Sequence, residues 1–304
     1  MSRESRLFGG RPRISTISAT FALAIVTALL PQQALAWGRE GHRIVADIAE
    51  SRLTATAKAQ IRTLLDGDPE SAGKSLADMA SWADEQREAD VDHQFSAWHF
   101  VRIPLDHGYP VYVPARDCAV DQCIVAQLER LPALLADPHQ SQRDRRLALL
   151  WIDHLVGDLV QPLHVTNDAD YGGNDVKVLD YCDLDPSCPQ NPKWRTLHAL
   201  WDDGLIRIDM RARRVSTDQF AQMLGMSITR QNEQDYLTHS VREWLGDSLR
   251  QAWYVAYGKL PPHQPGYSRL TVGPGYVAAV MPTVEAQLIK GGMRLAAMLN
   301  QSLR

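Results

Sequence analysis

The stretch RDRRLALLWIDHLVGDLVQPLH, residues 143–164, decides how the chain is read. Leu147, Leu150, Trp151, His154, Leu155, Asp158 and Leu159 recur at helical spacing and share one stripe, which predicts a helix over Arg143–Val160 ended by Pro162. Two polar groups interrupt that apolar stripe. His154 and Asp158 stand four residues apart on the buried face, where an imidazole and a carboxylate can hold one metal ion, and His164 follows just past the helix end. Taken alone, such a pair is more often a buried hydrogen-bonded couple.

The arrangement recurs downstream. In Lys193–Ile208, Leu197, Leu200, Trp201 and Leu205 form a stripe that contains His198 and Asp202, again at i and i+4. Upstream, Trp82-Ala83-Asp84 sets a carboxylate beside a core aromatic, and Trp98-His99-Phe100 does the same with an imidazole.

Around these motifs the spacing stays helical. Ile44, Ile48 and Leu53 share one segment; Thr54 is the expected N-cap of the next, which runs through Ile61 to Leu65 and stops at Gly67. Ser75–Arg87 and Asp121–Ala136 follow, the latter parted from Arg143–Val160 by Asp137-Pro138, as antiparallel neighbours would be. Later helices are expected over Asn191–Ile208, Thr217–Gln231, Gln234–Tyr257 and Gly275–Leu303, with a Pro-rich surface loop at Pro261–Pro274. Val165–Pro192 reads as a loop rich in Asn, Asp and Gly, and the Val176-Lys177-Val178 alternation predicts a small hairpin near 174–181. The expected fold is all-α, a single domain of mainly antiparallel helices.

The 304 residues, 45% hydrophobic and 22% charged, exclude a low-complexity chain and a polytopic membrane protein. Residues 1–36 read as a secretory signal: Arg3, Arg6, Arg11 and Arg13, an apolar run from Ile17 to Leu30, and an Ala34-Leu35-Ala36 cleavage site. That run is shorter than a bilayer span of about 20 residues, so no membrane anchor is expected, and the product is periplasmic or extracellular. Its removal would leave residues 37–304 as one catalytic domain, take away four arginines and one glutamate, and move the net charge from −4 to −7. Such a balance argues against a simple electrostatic clamp on nucleic acid, although bound cations change the local sign. In an exported chain four cysteines suit two disulfides, and the close pairs Cys118 with Cys123 and Cys182 with Cys188 would make two small loops; the alternative is two pairs of free thiols.

Cleavage would start the chain at Trp37-Gly38-Arg39-Glu40-Gly41-His42, where an α-amine and its own carbonyl can chelate a metal with His42 as third donor. With Trp82-Ala83-Asp84, Trp98-His99-Phe100, the run His154 to His164, Gly172-Gly173-Asn174 and Leu197-His198-Ala199-Leu200-Trp201-Asp202, the chain resembles the zinc-dependent S1/P1 nuclease family, as a bacterial-type member. The resemblance implies helices around a trinuclear zinc cleft. One zinc would be held by Asp84, His99, His154 and Asp158, another by His164, His198 and Asp202, and a third by the Trp37 amine and carbonyl, His42 and a shared Asp158.

Asp84 and Asp158 are then the candidate catalytic carboxylates. Two zincs bridged by Asp158 would lower the pKa of a shared water for in-line attack on phosphorus, and the third would neutralise the departing O3′, leaving a 5′-phosphate. The implied enzyme is a monomeric endonuclease acting on single-stranded DNA and RNA, with nucleotides as further substrates through 3′-nucleotidase activity. Phe100 with Gly172 and Asn174 would sandwich a base, and Arg87, a Lys in fungal members, would meet a phosphate. Arg102 departs from those relatives, which place a base-reading Asp there. A second reading is a zinc-dependent phospholipase C, which shares the fold and the His-x3-Asp-x5-His run but characteristically has Glu where this chain has Asp202. A third is a zinc-scavenging protein without turnover.

Overall fold

A computed structural model describes residues 37–89, 95–105, 108–179, 195–237, 240–262, 266 and 268–304. Its axis is the helix Gln142–Val160. Ser141 caps it by accepting from the Asp144 amide at 3.0 Å, and every residue from Ala148 to Val160 is buried. The sequence shows one apolar stripe on this helix, whereas the C-terminal half is enclosed on all sides. Arg39–Arg52, Ile124–Ala136, Val241–Gln251 and the 29-residue Pro274–Ser302 all pack against it. A polar side chain on that half therefore faces protein in every direction, which is the condition for a dry site.

Most predicted helices form, with instructive breaks. Thr54 caps Ala55–Leu65, accepting from Ala57 N at 3.1 Å. The helix expected over Ser75–Arg87 is two, Leu76–Met79 and Trp82–Ala89; at the break the Ala80 carbonyl accepts instead from His154 Nδ1. Ile124–Ala136 starts later than expected because Cys118 and Cys123 are joined in a disulfide just before it. Thr217–Met226 and Arg230–Tyr236 divide at Ser227–Thr229, and Thr229 caps the second. The segment that bears His198 and Asp202 opens with Leu197–Ala199 and widens into a π-helical turn, Leu200–Gly204, before Leu205–Arg213.

Among the described residues, sheet is confined to two patches. Ile103–Pro104 pairs in parallel with Thr166–Asn167. Val176–Leu179 is the strand that its alternation predicts, but its partners are distant: Arg195–Thr196, antiparallel, and Ser268–Thr271, parallel, the latter inside the expected surface loop. Cys182, Cys188 and the far end of the expected hairpin lie outside the described residues. Among the described residues, no helix is long and apolar enough to cross a membrane.

Candidate metal centre

Four elements converge on the buried half of the central helix: the start of Arg39–Arg52 with His42, the start of Trp82–Ala89 with Asp84, the short helix Ser96–His99, and the Pro162–His164 turn. Gly157 admits the first of these, since a Cβ there would lie 2.6 Å from His42 Nδ1. His42 consequently stacks on His154 with ring centroids 3.9 Å apart and 14° between planes.

Asp158 stands between two groups of donors. Its Oδ1 is 3.2 Å from His42 Nε2, whereas its Oδ2 is 3.0 Å from His99 Nδ1 and 3.3 Å from His154 Nε2. Asp84 Oδ1 completes the second group at 3.8 Å from His99 Nδ1 and 3.7 Å from His154 Nε2. Burial works against a charged Asp158, but His154 beside it, together with the His42 and His99 imidazoles, outweighs burial and holds its carboxyl well below the usual range. Burial also lowers His99, to about 4, so its ring stays neutral and its lone pair available at neutral pH. For His154 burial is outweighed by Asp158 and Asp84, which raise it to about 9.

The second His-Asp pair makes a separate group. His198 Nε2 lies 3.3 Å from Asp202 Oδ2 and 3.2 Å from His164 Nε2, which is 3.7 Å from Asp202 Oδ1. Backbone carbonyls set both tautomers: His164 Nδ1 donates to His99 O at 2.8 Å and His198 Nδ1 to Gly172 O at 2.6 Å. In the neutral rings both Nε2 atoms then present lone pairs to one another across 3.2 Å, an arrangement that repels unless something positive lies between them. Gln161, at the end of the central helix, donates to Asp202 and accepts from Leu163 N at 2.5 Å. Trp37 is fully buried nearby, tied through Gly38 N to Asp202 O at 2.7 Å.

These groups fit metal ions. His42 Nε2, Asp158 Oδ1 and Asp202 Oδ2 are buried with no hydrogen-bond partner among the described residues. Leaving such atoms desolvated costs about 1–3 kcal/mol each, and divalent cations held in the two groups would satisfy them. Among the described residues, three sets have ligand atoms that all lie within 4.8 Å of one another: His42, Asp84 and His154; His99, His154 and Asp158; His164, His198 and Asp202.

The expected base-binding residues are placed less uniformly. Phe100 is half-buried, and the Arg102 guanidinium lies over its ring, 4.3 Å from the centroid, with the exposed Tyr171 at 5.1 Å. Gly172 adopts φ 67°, and a Cβ there would lie 2.5 Å from Leu163 O. Its carbonyl holds His198, which gives this glycine a structural duty beside the expected one. Asn174 Nδ2 donates to Tyr171 O at 2.9 Å. The Arg87 side chain lies outside what is described. Sequence reasoning missed Gly157 and Gln161, a helical glycine and a helix-end glutamine that show no signal until their neighbours are known.

A family model described as S1/P1 Nuclease matches residues 37–304. The chain is similar to Endonuclease 4 of Arabidopsis thaliana, 28% identical over 307 residues that cover 94% of this chain and 96% of the relative. It is also similar to Nuclease P1 of Penicillium citrinum, 29% identical over 87% of this chain and 97% of the relative. Nuclease S1 of Aspergillus oryzae is 29% identical over 64% of this chain and 61% of its own length.

Proposed function

From its membership of the S1/P1 nuclease family, which makes the chain a phosphodiester-cleaving hydrolase, we propose that it is an exported, zinc-dependent endonuclease of single-stranded DNA and RNA. Its products would carry 5′-phosphates, and it would have 3′-nucleotidase activity. The observation that supports this most is the splitting of the Asp158 carboxylate: Oδ1 faces His42 and Oδ2 faces His99 and His154, so one side chain can serve two ions. With Asp84, these residues would hold two zincs; His164, His198 and Asp202 would hold another. Removal of residues 1–36 would free the Trp37 amine as a further donor beside His42.

Zinc bound in these sets supplies Lewis acidity to the phosphate and lowers the pKa of water near neutral pH. The chain's own part is positional. Asp158, kept ionised by the imidazoles around it, would bring the ions together; the Ala80, His99 and Gly172 carbonyls orient the imidazoles; the enclosed central helix excludes bulk water. Phe100 would offer a stacking face to an unpaired base beside Arg102. The test is hydrolysis of matched single-stranded DNA, duplex DNA, RNA and phosphatidylcholine, with zinc counted on the same sample. Cleavage of single strands to 5′-phosphorylated products supports the reading. Lipid hydrolysis alone, or zinc without turnover, overturns it.

A further inference from the structure

The loop between the two metal-facing helical segments is held in an unusual conformation from outside the site. Ala169, Tyr171, Gly172 and Gly173 all have positive φ, at 55°, 54°, 67° and 82°. Two of these are not glycine, a conformation that L-residues adopt only under constraint. Asp170 lies between them and is 1% exposed. Its carboxylate accepts from Asp168 N at 3.2 Å and, through both oxygens at 2.9 Å, from the hydroxyl of Tyr257. Its backbone is pinned at both ends, N to Asn167 Oδ1 at 3.0 Å and O from Asp175 N at 3.0 Å.

Two residues further on, the Gly172 carbonyl receives His198 Nδ1 at 2.6 Å, and Gly173 O receives the His198 amide at 3.3 Å. Tyr257 is buried at the end of the π-helical turn Ala252–Tyr257, whose Ala256 carbonyl accepts from Tyr276 OH at 2.7 Å; that hydroxyl in turn accepts from Trp201 Nε1 at 2.9 Å. The same turn thus reaches the second His-Asp pair by two routes, through Asp170 to the loop that orients His198 and through Tyr276 to Trp201, which lies between His198 and Asp202.

We propose that Tyr257, through Asp170, is a positioning residue for the His164–His198–Asp202 metal set: its hydroxyl fixes the left-handed loop whose carbonyl aims His198 Nε2. The inference rests on the metal reading above, not on the nucleic-acid reading. Tyr257→Phe removes one oxygen and leaves the ring in place.

The test is chelator competition on the zinc-loaded chain, reading zinc retained per chain for wild type, Tyr257→Phe, Asp170→Asn, His198→Ala and the Tyr257→Phe/His198→Ala double variant. Tyr257→Phe should release its most labile zinc at about tenfold lower chelator strength, within the effect of removing a group that orients a metal ligand, while the remaining zincs are retained as in wild type. Asp170→Asn should act in the same direction, raised zinc should restore turnover, and Tyr257→Phe should change nothing further once His198 is alanine. A Tyr257→Phe chain with wild-type zinc retention and only a lowered melting temperature overturns the proposal, as does an equal weakening in the His198→Ala background. Wild-type protein that retains no zinc overturns the metal reading itself, whatever its nuclease activity.

Discussion

The chain contains the same short motif twice, and the two copies are supported differently. His154-x3-Asp158 and His198-x3-Asp202 both set Nε2 at 3.3 Å from a carboxylate oxygen. The first sits within an uninterrupted helix, enclosed by its neighbours, with its imidazole oriented by the Ala80 carbonyl. The second crosses a π-helical turn, and its imidazole is oriented by a loop carbonyl whose conformation depends on Asp170 and Tyr257. Equal local geometry therefore rests on helix packing in one copy and on loop conformation in the other. The first should resist changes at a distance that the second does not.

The largest effect should come from Asp158→Asn, because the two oxygens of Asp158 face two donor groups. Turnover should fall by about three orders of magnitude, the kinetic equivalent of the several kcal/mol a metal contributes. The far-ultraviolet circular dichroism should stay helical. Near wild-type turnover would remove the distinction between this pair and the other. A residue left before Trp37 should come next. If the Trp37 amine is a ligand, a Met-Trp37 chain should lose one zinc and most activity although every side-chain donor remains, since an amide nitrogen has no lone pair for the metal. Equal zinc and equal rates in the two forms would leave Trp37 as a buried cap only.

A glycine in each region sharpens the contrast. Gly172→Ala meets both a positive φ and the Leu163 carbonyl at 2.5 Å, so it should destabilise the fold by about 1–3 kcal/mol and release the His198-bound zinc first. Gly157→Ala carries no positive-φ penalty, and the nearest group to its Cβ would be the His42 ring, 2.6 Å away at Nδ1. It should cost less stability and instead weaken zinc at the His42 side of Asp158. Thermal melts with zinc analysis on both variants would show whether the two losses separate.

What was legible in the sequence divides along the same line. The i and i+4 pairs, the Thr54 cap and the helix stop at Pro162 are local, so spacing alone locates them. His42, Asp84 and His99 are tied to the same centre only by the resemblance to the family, and the fold brings these side chains together with His154, Asp158, His164, His198 and Asp202. The break at Ala80 was not legible, because the carbonyl it frees is taken up by a ring 74 residues away. The pairing of Val176–Leu179 with Ser268–Thr271 is likewise long-range, and short strands in a helical chain leave little periodic trace. Gly157 was hidden by its setting: a glycine inside a helix reads as a weak point until His42 is seen against it. Arg102 is visible in the sequence as a departure from the family pattern, but its stacking on Phe100 and Tyr171 has no trace in the spacing.

The smallest predicted effect is at that stack. Phe100→Ala should raise KM for single-stranded oligonucleotides by roughly 5- to 150-fold, the equivalent of about 1–3 kcal/mol per stacked base, and leave the zinc content unchanged. Lost zinc at unchanged substrate affinity would make Phe100 part of the core behind His99.

The most direct test of the account is zinc per chain measured alongside hydrolysis of single-stranded DNA, before chelation, after it, and after zinc is returned. The purified protein should hold bound zinc, lose cleavage as the metal is removed, and recover it when zinc is returned. Cleavage that persists in the metal-free chain would contradict it.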